Sequence, residues 1–189
     1  MKLLRGICLG STGSGKTSIL SHMQHKRIVN PPPTAGVDYA IFEHNNIRFQ
    51  CWDASGDHKY INVAKMFASD CAVVLLVFDI TSQTSLDEAT QWIENTYNDS
   101  QMRFLIGNKA EKSERAPGIS AVRQQYPDMA YYEISAKQLP DLEHMFDSIL
   151  VAAEHLTRDT MLCTRTVTQD RTTSTVGASN RTQECCTVC

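Results

Sequence analysis

The chain has 189 residues, of which 42% are hydrophobic, and this size favours one domain with a single large core. Its 18 basic and 21 acidic residues give a formal net charge of −3 without any basic cluster, so we predict no nucleic-acid partner. The N-terminus lacks a long apolar region, and the longest apolar run, residues 71–78, is too short to span a bilayer. We therefore expect a protein of the cytosol.

Apolar and alternating runs predict six short strands. They lie at residues 2–9, 37–43, 47–52, 71–78, 102–106 and 130–134. The second and third strands flank a turn at residues 44–46 and are predicted to form an antiparallel hairpin. The run at residues 71–78 is continuous and rich in β-branched residues, which is typical of a central parallel strand covered on both faces.

Helical patterns separate most of these strands. Helices are predicted at residues 17–24, from Ser85 through residue 93, around residues 120–126, and from near Pro140 onward, with a weakly amphipathic stretch at 61–67. Ser85 and Glu88 have the spacing of a capping box that would begin the second of these helices. The last helix has one apolar face, made of Leu142, Met145, Phe146, Ile149 and Leu150. This alternation predicts an α/β, doubly wound sheet with helices on both faces.

A glycine-rich loop joins the first strand to the first helix. Its glycines let backbone N–H groups turn toward a phosphate, and the N-terminus of the following helix favours an anion. Lys16 would reach the β- and γ-phosphates, and the Thr17 hydroxyl would bind Mg²⁺. The strand, loop and helix in succession predict a phosphate-binding loop formed by Gly10, Ser11, Thr12, Gly13, Ser14, Gly15, Lys16 and Thr17.

Five further motifs follow that loop, at residues 34–39 (TAGVDY), 52–56 (WDASG), 76–81 (LVFDIT), 107–111 (GNKAE) and 134–137 (ISAK). With them, the chain resembles a small GTPase of the Ras superfamily, and most specifically a Rab, over about residues 2–156. The resemblance implies the P-loop NTPase fold, with a Ras-like, mostly parallel six-stranded sheet that has one antiparallel edge strand. It also implies GTP or GDP and Mg²⁺ as cofactors.

The resemblance implies a role for each matching residue. Thr34 would close over the γ-phosphate and Mg²⁺, Asp53 would hold Mg²⁺ through water, and the Gly56 N–H would bind the γ-phosphate. The metal residues are then Thr17, Thr34 and Asp53, and the positions of the reaction are Lys16, Thr34, Gly56 and Asp57. Guanine would be bound by Asn108 and Lys109, by the carboxylate of Glu111, and by backbone N–H groups of Ser135, Ala136 and Lys137.

Several positions depart from the family pattern. Asp57 stands where the family has a glutamine that orients the attacking water, so we predict slow intrinsic hydrolysis. His58 is an alternative base, although nothing in the sequence fixes its geometry. Glu111 replaces an aspartate, which should weaken guanine preference without abolishing it. Ile28 replaces an aromatic residue that covers the base, and a proline replaces the tyrosine that the family has before the switch threonine; both changes favour faster nucleotide loss. The loop between Thr17 and Thr34 is also about one residue short, which bears on the geometry of Thr34.

Three aromatic residues admit two interpretations. Tyr39, Trp52 and Phe67 match a partly exposed patch that contacts effectors in Rabs, and aromatic residues are enriched at protein interfaces. As large apolar residues they are also candidates for the core, although the resemblance favours the effector surface.

The chain beyond about Leu156 loses its apolar periodicity, so we predict a GTPase domain at residues 1–156 and a disordered tail at 157–189. The resemblance implies prenylation of Cys185 and Cys186, and residues 186–189 can also be read as a C-a-a-X box. Two lipids anchor a protein stably where one does not. A zinc site formed by the terminal cysteines would need a fourth ligand. Cys8, Cys51 and Cys71 lie in apolar runs and are expected to be reduced.

The function that the resemblance implies is a Rab-like guanine-nucleotide switch in vesicle traffic. It would cycle between the cytosol and the cytoplasmic face of intracellular membranes. Its partners would be effectors, an exchange factor, a GTPase-activating protein and the prenyltransferase machinery. Two alternatives are a non-cycling pseudo-GTPase that acts as an interaction module and a P-loop kinase of small metabolites, for which no lid or substrate-binding arginines are visible.

Overall fold

The computed structural model describes residues 2–28, 31–44, 46–95 and 101–167, with backbone alone at His44 and over residues 154–167. The six strands are β1 (Lys2–Leu9), β2 (Val37–His44), β3 (Ile47–Ala54), β4 (Val73–Asp79), β5 (Met102–Asn108) and β6 (Ala130–Ile134). The helices are α1 (Lys16–His25), α2 (Ile61–Ala68), α3 (Gln83–Asn95), α4 (Ile119–Gln125) and α5 (Leu139–Val167). A single 3₁₀ turn, His58–Tyr60, precedes α2.

The strands form one sheet in the order β2-β3-β1-β4-β5-β6. β2 pairs antiparallel with β3, and all other neighbours are parallel. This confirms the predicted doubly wound sheet with one antiparallel edge strand. The chain leaves β1 toward β3 and later returns to β4 on the other side of β1. In open α/β sheets the crevice beyond the strand ends at such a reversal is where ligands bind.

Helices cover both faces because the strand side chains alternate. Leu4 and Cys8 of β1 pack into the layer that contains α1 and α5, whereas Ile7 and Leu9 pack into the layer with α2, α3 and α4. β4 is buried on both faces from Val73 to Phe78. The first layer also holds the predicted apolar face of α5, and its five residues are 0% or 1% exposed. The core therefore lies in two layers, one on each face of the sheet.

The predicted capping box is wrong. α3 begins at Gln83, and the hydroxyl of Ser82 accepts the N–H of Ser85 at 3.2 Å, so Ser82 is the capping residue. Ser85 is 5% exposed; its Oγ accepts the N–H of Asp79 at 2.9 Å and lies 2.5 Å from Oγ of Ser11. Ser85 therefore ties α3 to the end of β4 and to the glycine-rich loop.

The last helix extends beyond the predicted end of the domain. It continues to Val167, past the predicted boundary near Leu156. Residues 141–167 contain neither proline nor glycine, so nothing in the local sequence ends the helix. The rest of the predicted tail, with Cys185 and Cys186, lies outside the described residues. None of the helices in the described part of the chain is both long enough and apolar enough to cross a bilayer.

Candidate functional site

The glycine-rich loop lies at the end of β1, at the reversal point of the sheet. Gly10, Gly13 and Gly15 have φ values of 139°, 77° and 98°, which L side chains rarely adopt. A Cβ on Gly10 would lie 1.9 Å from the carbonyl oxygen of Val77, and one on Gly15 would lie 2.1 Å from Nδ2 of Asn108. The first and last glycines are therefore required for space as well as for backbone conformation.

Lys16 lies across this loop. Its ammonium donates to the carbonyl of Gly10 at 3.0 Å and to that of Ser11 at 2.8 Å, and the residue is 5% exposed. Burial lowers the pKa of Lys16, an effect that the nearby carboxylate of Asp53 opposes. A buried ammonium that donates to carbonyl oxygens would gain from an anion placed on the same loop.

The three predicted metal residues come from separate elements and meet at one point. The Thr17 hydroxyl donates to Oδ2 of Asp53 at 2.6 Å, and the Thr34 hydroxyl donates to the same oxygen at 2.9 Å. The two hydroxyl oxygens are 2.8 Å apart. Asp53 is 4% exposed, and its Oδ1 is buried without a hydrogen-bond partner among the described residues. Burial raises the pKa of Asp53, and the two hydroxyl hydrogen bonds oppose this rise.

This donor set fits Mg²⁺. Hydroxyl and carboxylate oxygens are the ligands that this hard cation takes, and it usually completes its shell with water and substrate phosphates. The unsatisfied Oδ1 of Asp53 gives the buried carboxylate a further oxygen to offer. A cation at this point would also offset the free-energy cost of burying the Asp53 charge.

A cavity of about 260 Å³ lies beside this cluster. Its wall is made by the glycine-rich loop, by the start of α1, by the three prolines before Thr34, and by the end of β3 up to Gly56. Gly56 approaches the first loop closely, since a Cβ there would lie 2.3 Å from the backbone nitrogen of Thr12. Thr12, Gly13, Gly15, Lys16, Thr17, Thr34 and Gly56 are thus brought together around one space.

Asp57 is not among the residues that line this cavity. Its carboxylate caps the 3₁₀ turn, where it accepts the N–H of Lys59 at 3.1 Å, and its Oδ2 lies 2.9 Å from the Lys59 ammonium. The hydrogen bonds from Lys59 lower the pKa of Asp57. Asp57 is therefore an ionised capping residue with its own counter-ion.

Asn108 connects the first loop to the loop at residues 135–137. It is 2% exposed; its Nδ2 donates to the carbonyl of Ser14 at 2.8 Å, and its Oδ1 accepts the N–H of Ala136 at 2.9 Å. The carbonyl of Ala136 accepts a hydrogen bond from Nδ1 of His22. Sequence reasoning missed His22, although its spacing from Ile19 and Met23 places it on the buried face of α1.

Three of the remaining predicted base-binding residues, Lys109, Glu111 and Lys137, are engaged in ion pairs. The Lys109 ammonium lies 2.6 Å from Oδ2 of Asp79, and the Lys137 ammonium lies 3.1 Å from Oε1 of Glu111. A hydrogen bond from Ser135 lowers the pKa of Glu111, with Lys137 contributing in the same direction. The N–H of Lys137 donates to Oγ of Ser135 at 3.3 Å. Asp79 is a second residue of this region whose contact was not predicted from the sequence.

The three aromatic residues of the proposed effector surface form one cluster. The ring centroids of Tyr39 and Trp52 are 5.7 Å apart, and those of Trp52 and Phe67 are 4.6 Å apart. Trp52 and Phe67 are partly buried against the core, whereas Tyr39 is 53% exposed. The cluster is therefore neither core nor isolated surface residues, but a partly buried patch.

A family model described as the Ras family matches residues 5–155. The chain belongs to the Ras family. Proteins similar to this chain are named as Rabs. Ras-related protein Rab-7B of Dictyostelium discoideum is 28% identical to it over 160 residues, which cover 78% of this chain and 81% of that protein. Ras-related protein RabF1 of the same organism is 28% identical over 158 residues, covering 78% and 83%. Ras-related protein Rab-7a of Paramecium octaurelia is 27% identical over 176 residues, covering 84% of each chain.

Membership of the Ras family indicates in general terms what such a site binds. Proteins of this family are small GTPases that bind guanine nucleotide with Mg²⁺ and act as switches. The predicted resemblance to a Rab-type small GTPase is confirmed.

Proposed function

We propose that this Ras-family protein is a Rab-type switch that binds GTP and GDP in the cavity beside Thr17, Thr34 and Asp53, hydrolyses GTP slowly, and recruits effectors to an intracellular membrane in vesicle traffic. The observation that carries the proposal is the convergence of these three side chains, within 2.6–2.9 Å of one another, beside the glycine-rich loop. Helix α1, the loop before β2 and strand β3 therefore each contribute one side chain to the proposed metal site, which lies beside the proposed phosphate-binding loop.

On the phosphate side, the N–H groups of residues 10–15 and the Lys16 ammonium would hold the phosphates, and Thr17 and Asp53 would hold Mg²⁺. Thr34 and Gly56 each lie on a separate loop that lines the same cavity. Contact with a third phosphate would order both loops, and its loss would release them. Thr34 and Gly56 are thus the two residues through which the nucleotide state changes the surface.

Slow hydrolysis follows from the environment of Asp57. The catalytic glutamine of the family donates and accepts hydrogen bonds to orient water, whereas an ionised carboxylate only accepts. The Asp57 carboxylate is also occupied by the N–H and ammonium of Lys59. The switch should therefore persist in its GTP form or depend on an activating protein.

Guanine recognition would use Asn108, Lys109, Glu111 and the 135–137 loop. Glu111 and Lys109 are both engaged in ion pairs, so each would exchange a partner when the base binds. This exchange reduces the net gain from base contacts, because a hydrogen bond made at the expense of another contributes little. Guanine preference should accordingly persist but be weak.

Signalling would use the patch of Tyr39, Trp52 and Phe67. Tyr39 is on β2, just after Thr34 and Gly36, and Trp52 is next to Asp53, so the patch is continuous in the chain with both nucleotide-sensing loops. Effectors would bind this patch, while an exchange factor and a GTPase-activating protein would act on the loops beside it. Lipids on Cys185 and Cys186, added by prenyltransferase machinery, would hold the protein at the membrane.

A non-cycling interaction module is the second candidate. The ion pairs of Asp57 with Lys59 and of Glu111 with Lys137 favour it, because they occupy the two side chains that catalysis and base selection would use. In that case the fold would display the aromatic patch without a nucleotide cycle.

The deciding experiment identifies the nucleotide that the full-length protein carries. The protein is purified in Mg²⁺, denatured, and the released nucleotide is separated by chromatography. Mostly GTP is the expected result. Mostly GDP would contradict slow hydrolysis, and release of no guanine nucleotide from a folded protein would favour the non-cycling module.

A further inference from the structure

Two neighbouring peptide units of the loop at residues 135–137 are each held by a buried side chain. The N–H of Ala136 donates to Oδ1 of Asn108 at 2.9 Å. The carbonyl of Ala136, which belongs to the next peptide unit, accepts from Nδ1 of His22. Asn108 matches the guanine-binding motif of the family, whereas His22 belongs to none of the motifs that define the site.

The His22 contact fixes the form of the imidazole. A carbonyl oxygen only accepts hydrogen bonds, so Nδ1 of His22 must carry the hydrogen. His22 is 2% exposed and Ala136 is 7% exposed, so little water can replace this bond. Removing it leaves a buried carbonyl without that donor, which is costly.

Holding the Ala136 carbonyl also sets the direction of another group. The peptide unit is planar and trans, so the carbonyl of Ala136 and the N–H of Lys137 point in opposite directions. Because His22 holds the carbonyl toward α1, the N–H of Lys137 points away from α1. That N–H makes a long hydrogen bond of 3.3 Å to Oγ of Ser135, which a better acceptor can replace.

We infer that His22 is a positioning residue for base recognition: it holds the Ala136 carbonyl so that the N–H of Lys137 is presented to the O6 acceptor of guanine. The inference rests on the proposed function of this site. His22 lies on α1, the helix that begins with Lys16 and Thr17. The helix that starts at the phosphate site therefore also sets the orientation of the base-binding loop.

The orientation of the Lys137 N–H matters more for base selection in this protein because Glu111 is paired with Lys137. A carboxylate that must leave an ion pair contributes less to base selection. The rigid N–H groups of the 135–137 loop then account for a larger share of the discrimination, and the residue that aims them becomes specificity-determining.

The test compares GDP with the 5′-diphosphate of 2-aminopurine riboside, which lacks O6. Dissociation rates of both are measured in Mg²⁺ for the full-length protein and for three variants. H22L keeps an apolar side chain of similar size but donates nothing. H22N carries its amide nitrogen the same number of bonds from the backbone as Nδ1. H25L is the matched control, since His25 is exposed near the end of the same helix.

We expect H22L to release GDP about tenfold faster while release of the 2-aminopurine nucleotide changes less than twofold, as loss of one buried hydrogen bond predicts. H22N should restore most of the GDP rate, and H25L should leave both rates unchanged. Equal acceleration of both nucleotides by H22L would show a merely structural role and overturn the inference. So would an unchanged GDP rate.

A second measurement needs no variant. ¹⁵N NMR of the wild-type imidazole should show the hydrogen of His22 on Nδ1, and a neutral ring that carries it on Nε2 alone would overturn the inference even if H22L fails to fold. Failure of the proposed function is seen separately, because the wild-type protein would then bind neither nucleotide, whereas equal binding of the two nucleotides would overturn the inference alone.

Discussion

The proposed site has a phosphate-binding half and a base-binding half, and the two differ in how far their side chains are buried. The phosphate half consists of backbone groups and buried side chains, with Lys16 and Asp53 only 5% and 4% exposed. The base half combines the buried Asn108 and Ala136, which are 2% and 7% exposed, with an ion pair that reaches the surface. The side chains of Lys137 and Glu111 in that pair are 73% and 27% exposed. A change in the first half should therefore abolish binding, whereas a change in the second should adjust affinity and selectivity.

The largest effect should come from Gly15, where the halves touch. Gly15→Ala places a methyl group 2.1 Å from Nδ2 of Asn108 at a φ of 98°, so it disturbs the phosphate loop and the base loop together. We expect at least a hundredfold loss of GDP affinity, measured by titration with a fluorescent GDP analogue. The control is Gly13→Ala, where φ is 77° but nothing lies within 4 Å of the added methyl. It should cost only backbone strain, about 1–2 kcal/mol, and equal losses for the two variants would contradict the steric argument.

The metal cluster gives the next largest effect. Thr17→Ala removes the hydroxyl that lies 2.6 Å from Asp53, so the Mg²⁺ concentration needed to retain nucleotide should rise more than tenfold. Thr17→Ser keeps the hydroxyl and is the control. Nucleotide release is followed while free Mg²⁺ is lowered with a chelator. If the two variants need the same Mg²⁺ concentration, Thr17 is not a metal ligand.

Variants of Asp57 test whether this residue is the reason that hydrolysis is predicted to be slow. Asp57→Gln restores a side chain that can orient water, and we expect single-turnover GTP hydrolysis to rise tenfold or more. Asp57→Asn removes the charge but keeps the length, so it should give a smaller gain. Equal gains for both variants would assign slow hydrolysis to charge alone.

Glu111 should give the smallest effect. Glu111→Asp shortens the side chain, weakens its pairing with Lys137 and restores the family residue, so preference for GDP over IDP, which lacks the 2-amino group, should rise about fivefold. Glu114→Asp is an exposed control on the same loop. A preference unchanged by Glu111→Asp would show that Glu111 does not contact the base.

Much of the fold could be predicted because its signals are local. The short apolar run of β1 and the continuous apolar run of β4 indicated buried strands, and the succession of strands and helices predicted a sheet with helices on both sides. Glycines at Gly10 and Gly15 indicated a loop with special backbone geometry, and the structure shows positive φ at both. A local pattern also misled, since Ser85 has capping-box spacing but Ser82 caps the helix.

By itself, the sequence determined the sheet, the glycine-rich loop and the order of the motifs, because backbone preferences and side-chain periodicity act between near neighbours. Only the tertiary structure decided which residues far apart in the chain contact one another. His22 and Ala136 are separated by 114 positions, and Lys109 and Asp79 by 30, and no periodicity connects such pairs. Their contacts exist because packing of α1 and of β4 to β6 brings the strand ends together, and this packing depends on the whole core.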